Sequence, residues 1–309
     1  ANGRIGYSDL NSSIGNGILF DDYQSLVYDF GIISGTSASN ILSSVRQSSD
    51  FSNLDYPTVV QSPLNSDTQV YLKIDDSEDP MPLNVEIIQN AYSWNDTESS
   101  DFILIEYTII NKGLEIIEDY YFGLFADWDL FNAANNSSYF LDDDNFMYCR
   151  NEGVESMYAG VKLLTNQSAK NYSLAQIEGG DEILDITDGF ADIEKFYIIS
   201  NDLVSLAQNT DIVQFTGAGP FDIQTNDTVN VAFAIIATDN YFDLVNAVSA
   251  STDVYNQVLN PGNLISNTVV ECHIYPNPAS NNLFVDVQDY GEIYDLRIID
   301  ISGKIVYES

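Results

Sequence analysis

Basic side chains are the scarcest chemistry in this 309-residue sequence: ten Lys and Arg stand against 47 Asp and Glu, a formal net charge of −37. Nucleic-acid binding draws its affinity from Lys and Arg that displace phosphate counterions, so that class is excluded. Docking on an anionic membrane surface is excluded for the same reason. There is one histidine, His273, and there are two cysteines, Cys149 and Cys272. Two distant thiols allow a single bridge or two free groups, and either way they are no disulfide framework. No run reaches the roughly 18 apolar residues of a membrane helix, and the longest, Phe102–Ile110 and Val231–Ala237, are strand-sized. No membrane insertion is expected. The amino terminus begins without Met and lacks the charged-then-apolar plan of a signal peptide, which reads as a processed chain or part of a longer polypeptide.

What is present suits a large packed core: 45% of residues are hydrophobic, with 20 Tyr and 16 Phe. Short apolar pieces separated by Gly, Asn, Asp and Ser predict strands at Ile18–Phe20, Leu26–Ile33, Val70–Ile74, Leu83–Trp94 and Phe102–Ile110. Tyr120–Phe125 is expected to pair back on Phe102–Ile110 as a meander, and further strands at Tyr158–Leu164, Phe196–Ser200 and Val229–Ala237 follow. The alternation of Leu83, Val85 and Ile87 slips at Ile88, which predicts a β-bulge. One helix stands out at Asp243–Leu259, where apolar residues recur at helical spacing. Asp239 or Asn240 would cap it, and Pro261-Gly262 would stop it. A second, short helix is expected at Ile41–Arg46. The fold class is all-β: an antiparallel β-sandwich with one C-terminal helix, followed by a partial immunoglobulin-like β domain. The domains read as a sandwich module over 1–262, a linker over 263–272, and a tail module over 273–309.

Catalytic patterns are thin. Gly35-Thr36-Ser37 resembles the surroundings of a subtilisin nucleophile, but a serine nucleophile needs a histidine base with its own orienting acid. His273 stands in no such pattern, so Ser37 is expected to serve as a turn or cap residue. Zinc needs Cys and His at ligand spacing, and these are absent. Calcium takes oxygen ligands, and here the sequence is richer. Asp127 and Asp129 leave a strand on one face, and Asp142, Asp143 and Asp144 follow in a polar loop. These five are the candidate calcium ligands, with a solvated acidic loop as the competing reading. Asp75–Asp79 and Asp181-Glu182 read as solvated turns. A carboxylate-based hydrolase would need two carboxyls facing each other across a cleft, one of them with a raised pKa. Trp94, Trp128, Tyr120 and Tyr121 could serve as a binding platform, with Trp128, between two aspartates, the best surface candidate and Tyr92 and Trp94 assigned to the core.

The tail is more specific. Tyr275-Pro276-Asn277-Pro278 opens it, Leu283–Val287 alternates as a strand, and Asp295–Val306 reads as a hairpin turned by Ser302-Gly303, with Lys304 next to the turn. Together these residues resemble the C-terminal sorting domain of type IX secretion cargo in Bacteroidetes. The resemblance covers about the last 35 residues and lacks the family's closing Gly-x-Tyr strands. It implies export across the outer membrane by the type IX translocon and its shuttle proteins. The product would be secreted or attached to the outer surface.

Gly3–Tyr7, Ser34–Ser37, Gly123–Asp129 and Gly217–Phe221 are weakly similar to non-catalytic regions that follow secreted subtilisin-like peptidase domains. The expected function is therefore a non-catalytic extracellular module for binding, adhesion or structure, with a surface polysaccharide or a protein as ligand. The alternatives are an accessory region of a peptidase and, behind it, the carboxylate hydrolase.

Overall fold

The computed structural model describes residues 3–7, 17–20, 25–46, 48–153, 156–176, 184–201 and 204–260, together with the backbone of four strands in the tail. The chain divides into two compact units, residues 1–259 and 260–309. The first contains β1 (Arg4–Tyr7), β2 (Val27–Ser37), β3 (Asn40–Ser43), β4 (Ser52–Val59), β5 (Thr68–Asp75), β6 (Val85–Ser93), β7 (Phe102–Asn111) and β8 (Ile117–Trp128). It continues with β9 (Asn136–Leu141), β10 (Phe146–Asn151), β11 (Tyr158–Leu163), β12 (Lys170–Ala175), α1 (Asp192–Ser200), β13 (Ile212–Ile223), β14 (Thr228–Thr238) and α2 (Tyr241–Val254).

Two antiparallel sheets form the sandwich. One runs β1-β2-β8-β13-β12, with β3 sharing the outer edge of β2; the other runs β4-β5-β6-β7-β14-β11-β10-β9. Alternate residues of each strand face inward, as the pleat requires. Phe30, Ile32, Phe122, Leu124 and Trp128 of the first sheet share a buried core with Ile87, Tyr107, Ile109 and Phe233 of the second. The Tyr107 and Phe122 rings are 4.9 Å apart and tilted by 58°. Such aromatic pairs add about 0.5–1.5 kcal/mol beyond the area they bury.

Both outer faces are covered as well. α2 lays Leu244, Ala247 and Val248 over Leu104, Phe146, Ala234 and Ile236 of the larger sheet. The smaller sheet carries Ile33, Phe125, Val213 and Phe215 on its outer face, packed beneath Leu184, Ile186, Phe190, Ile198 and Ile199. The expected all-β sandwich with a C-terminal helix is the observed fold, and Asn240 caps that helix by accepting the Asp243 N–H at 2.9 Å.

Several local expectations are corrected. Phe196–Ser200 is helix, not strand: Glu194 accepts the Ala191 N–H at 2.6 Å, and burial of Ile198 and Ile199 outweighs the β propensity of this run. Ile41–Arg46 begins as β3, the return arm of a hairpin whose closeness is set by Gly35, where a Cβ would fall 2.3 Å from the Asn40 carbonyl oxygen. No bulge occurs at Ile88, since β6 keeps continuous register with β5 and β7. Tyr92 follows Val85 and Ile87 on the opposite face because α2 makes that face apolar too. Residues 18–20 form no strand. β8 does not return on β7; it crosses to the other sheet and lies between β2 and β13.

In the second unit β15 (Cys272–Tyr275) pairs antiparallel with β16 (Phe284–Val287), and β17 (Arg297–Ile299) pairs antiparallel with β18 (Ile305–Glu308). Residues 263–271 of the expected linker and the residues Pro276, Asn277, Pro278, Gly303 and Lys304 lie outside the described residues, as does Asp181-Glu182, while Cys272, expected to end the linker, begins β15.

Candidate functional site

At the end of β8 the pleat alternates: Trp128 enters the core between the sheets, and Asp127 and Asp129 go to the opposite side. Trp128 is fully buried, and its indole N–H donates to Gln214 Oε1 at 2.9 Å, so it offers no surface platform. The pairing of β8 with β13 sets Ile212 opposite Trp128 and so brings Asp211 beside the two aspartates. Carboxylate oxygens of Asp127, Asp129 and Asp211 all lie within 4.8 Å of one another.

Basic groups reach this cluster from the other edge of β2. Arg46, just past β3, places Nη1 3.0 Å from Asp127 Oδ2. Its other terminal nitrogen donates to Gln176 Oε1, whose amide donates onward to Asp211 Oδ2 at 3.3 Å. The Arg46 backbone N–H donates to Asp29, and Arg4 Nε lies 3.1 Å from the same carboxylate. Four acidic groups thus face two guanidinium groups. Burial raises the pKa of Asp127 to about 8, with the neighbouring Asp211, Asp129 and Asp29 charges adding to it and Arg46 opposing. Burial also raises Asp211 to about 6, and Asp129 moves in the same direction for the same reason.

A cleft of about 640 Å³ opens beside the cluster, lined by Tyr7, Tyr28, Asp29, Arg46, Gln176 and Asp188 among others. Asp127, Asp129 and Asp211 are not on its wall; Arg46 and Gln176, which touch them, are.

Of the five residues singled out in the sequence, the structure brings Asp127 and Asp129 together. Asp142, Asp143 and Asp144 form a single 3-10 turn between β9 and β10, outside the cluster, with Asp144 3.1 Å from Lys162 Nζ. Asp211 was missed, and no local motif marks it: its partnership comes from strand pairing across more than eighty positions. Asp76, read as part of a solvated turn, is 2% exposed and accepts the N–H groups of Asn84 and Val85. Ser37 sits in the β2–β3 hairpin with its hydroxyl 3.1 Å from that of Ser39. Cys149 is a free thiol buried in the core, and burial raises its pKa.

A different aromatic surface takes the place of the expected one. Tyr139, Tyr148 and Tyr158 lie on the outer face of β9, β10 and β11, Tyr148 and Tyr158 buried in the cluster beneath α2 and Tyr139 half-buried against it. Tyr139 stacks on Tyr148 at 5.4 Å, and Tyr241 at the start of α2 sits 6.5 Å from Tyr148 and 6.2 Å from Tyr158. Tyr241 is 47% exposed, and Phe242 beside it is 73% exposed. Tyr120 is buried, and Trp94 is half-buried against Phe102.

A search of curated proteins returns no match to the chain. Among the described residues no helix is long and apolar enough to cross a membrane. Residues 273–309 match the family described as secretion system C-terminal sorting domain. That stretch contains the Tyr-Pro-Asn-Pro opening and the paired strands β15–β16 and β17–β18. The tail is thus a sorting domain, and the chain is cargo of the type IX secretion machinery, delivered to the medium or to the outer cell surface.

Proposed function

We propose that the sandwich is a non-catalytic binding module that works outside the cell and takes a neutral polysaccharide on its tyrosine face. The observation that supports this reading is the exposure of Tyr241, whose ring lies against Tyr148 and Tyr158, with Phe242 exposed next to it in the chain. Rings held by their neighbours offer a rigid apolar face at low entropic cost, and the electron-rich face of each attracts the polarised C–H groups of a sugar ring. The net charge of −37 opposes an acidic polymer, which favours a neutral one. Burial of Asp127 and its absence from the cleft wall weigh against the hydrolase reading, because substrate would not reach it. The tyrosine face would serve equally in free-standing cargo or in the accessory region of a secreted peptidase.

Affinity electrophoresis and pull-down of the full chain on cellulose, xylan, chitin and dextran test the reading. Retention on at least one neutral polymer is expected, weakened about tenfold or more by Tyr241→Ala with Phe242→Ala, a loss of about 1.4 kcal/mol. A wild-type chain retained by none of them, or a double variant retained as well as wild type, would overturn it.

A further inference from the structure

We propose that Asp127, Asp129 and Asp211 form a binding site for a hard divalent cation, calcium, that ties the end of β8 to the start of β13. Three carboxylates from two neighbouring strands present oxygens within 4.8 Å of one another. An acidic cluster alone would be an ordinary feature of so acidic a chain. Here a second observation points to a ligand: Asp127 is 1% exposed, and its Oδ1 is buried with no hydrogen-bond partner, while Arg46 Nη1 meets Oδ2. Asp211 Oδ1 is also buried with no hydrogen-bond partner, because Gln176 reaches only Oδ2. Buried carboxylate oxygens are normally satisfied, since leaving a charged group without partners costs several kcal/mol.

Arg46 supplies part of the compensation and no more. Its Nη1 faces Asp127 Oδ2, its Nη2 faces Gln176, and its backbone N–H faces Asp29. Arg4 is engaged by Asp29. With all four carboxyls ionised, Asp29, Asp127, Asp129 and Asp211 against Arg4 and Arg46 leave two negative charges, the charge of one divalent cation. The donors are all oxygen, which selects a hard ion over zinc or copper. Calcium accepts irregular sets of six to eight oxygens, with water completing them, whereas magnesium demands a near-ideal octahedron. Asp142 and Asp143 are not required, and Asp144 is held by Lys162.

The test uses the full chain, chelator-treated, titrated with calcium by calorimetry and by thermal unfolding. One site with a midpoint of about 10⁻⁴–10⁻³ M is expected, the range of extracellular calcium modules. Asp129→Asn and Asp211→Asn, at half-buried positions, should each weaken it at least about tenfold, and Asp144→Asn should not. Terbium gives an independent readout: Trp128, between two of the ligands in sequence, should sensitise its luminescence, and Trp94→Phe should leave that signal intact. No heat and no thermal shift at about 10 mM calcium, well above that range, would overturn the site. So would unchanged binding in both Asp129→Asn and Asp211→Asn, or loss of binding in Asp144→Asn.

Discussion

Arg46 Nη1 and Asp127 Oδ2 meet at 3.0 Å with the carboxylate side chain 2% exposed and the guanidinium side chain 18% exposed. Such a pair gives little net stability over an apolar one, but breaking it strands a charge where water cannot reach. Arg46→Met, measured by urea unfolding in calcium-free buffer, should therefore lower stability more at pH 9 than at pH 7, where Asp127, its pKa already raised to about 8, can take up a proton instead. Adding Asp127→Asn to that variant should recover part of the loss, because the stranded charge goes with it. A single-variant cost at pH 9 below about 1 kcal/mol, the level of an exposed pair, would show that solvent reaches the site.

Gly123 in β8 pairs with Gly217 in β13, and the Phe215 ring lies over both. A Cβ on Gly123 would fall 2.4 Å from Phe215 Cζ and 2.5 Å from the Gly217 Cα, and the second of these is backbone that cannot swing away. Gly123→Ala should lower stability by about 1–3 kcal/mol through overpacking. A shift in urea midpoint near zero would mean that the two central strands part more easily than their register implies.

Asp76 holds the turn between β5 and β6 by accepting the Asn84 N–H on one oxygen at 2.9 Å and the Val85 N–H on the other at 3.1 Å. Burial outweighs those bonds and raises its pKa to about 6, above the unfolded value near 4. The fold thus binds more protons than the unfolded chain between pH 4 and 6. The stabilisation from this group is fully present below pH 4 and is lost as the pH rises through 6. Asp76→Asn keeps one acceptor and does not titrate, so its deficit relative to wild type should shrink from pH 4 to pH 7. A deficit that grows over that range would reverse the assignment.

Much of the architecture is readable from the residues alone, and its gaps have physical causes. Five strands of the larger sheet, β5, β6, β7, β11 and β14, follow from their apolar runs, whereas β4, β9 and β10 do not; α2 follows from its spacing and the Asn240 cap. Which sheet a strand joins is a different matter: β7 and β8 look like a meander, yet five residues between them suffice to cross the sandwich. The alternation around Trp128 places Asp127 and Asp129 on one side, but it cannot say that this side is buried. That follows only from the covering layer of Leu184, Ile186, Phe190 and α1, and the same layer turns Phe196–Ser200 from strand into helix. Asp211 carries no signal of its own because its neighbours are set by register. The tail is legible because its proline-rich opening and hairpin form a compact motif.

The pairing of the few basic side chains has a consequence for the protein as a particle. In the sandwich Arg4, Arg46, Lys73, Arg150, Lys162 and Lys195 are each matched with a carboxylate, Lys170 is buried, and Lys112 is exposed. What remains outside is a shell of nearly one sign. Such a shell should keep copies apart in solution, with a second virial coefficient expected to be positive and to fall as salt thins the double layer. Exposed aromatic rings such as Phe242 can then stay uncovered in a crowded secreted mixture without drawing the particles together.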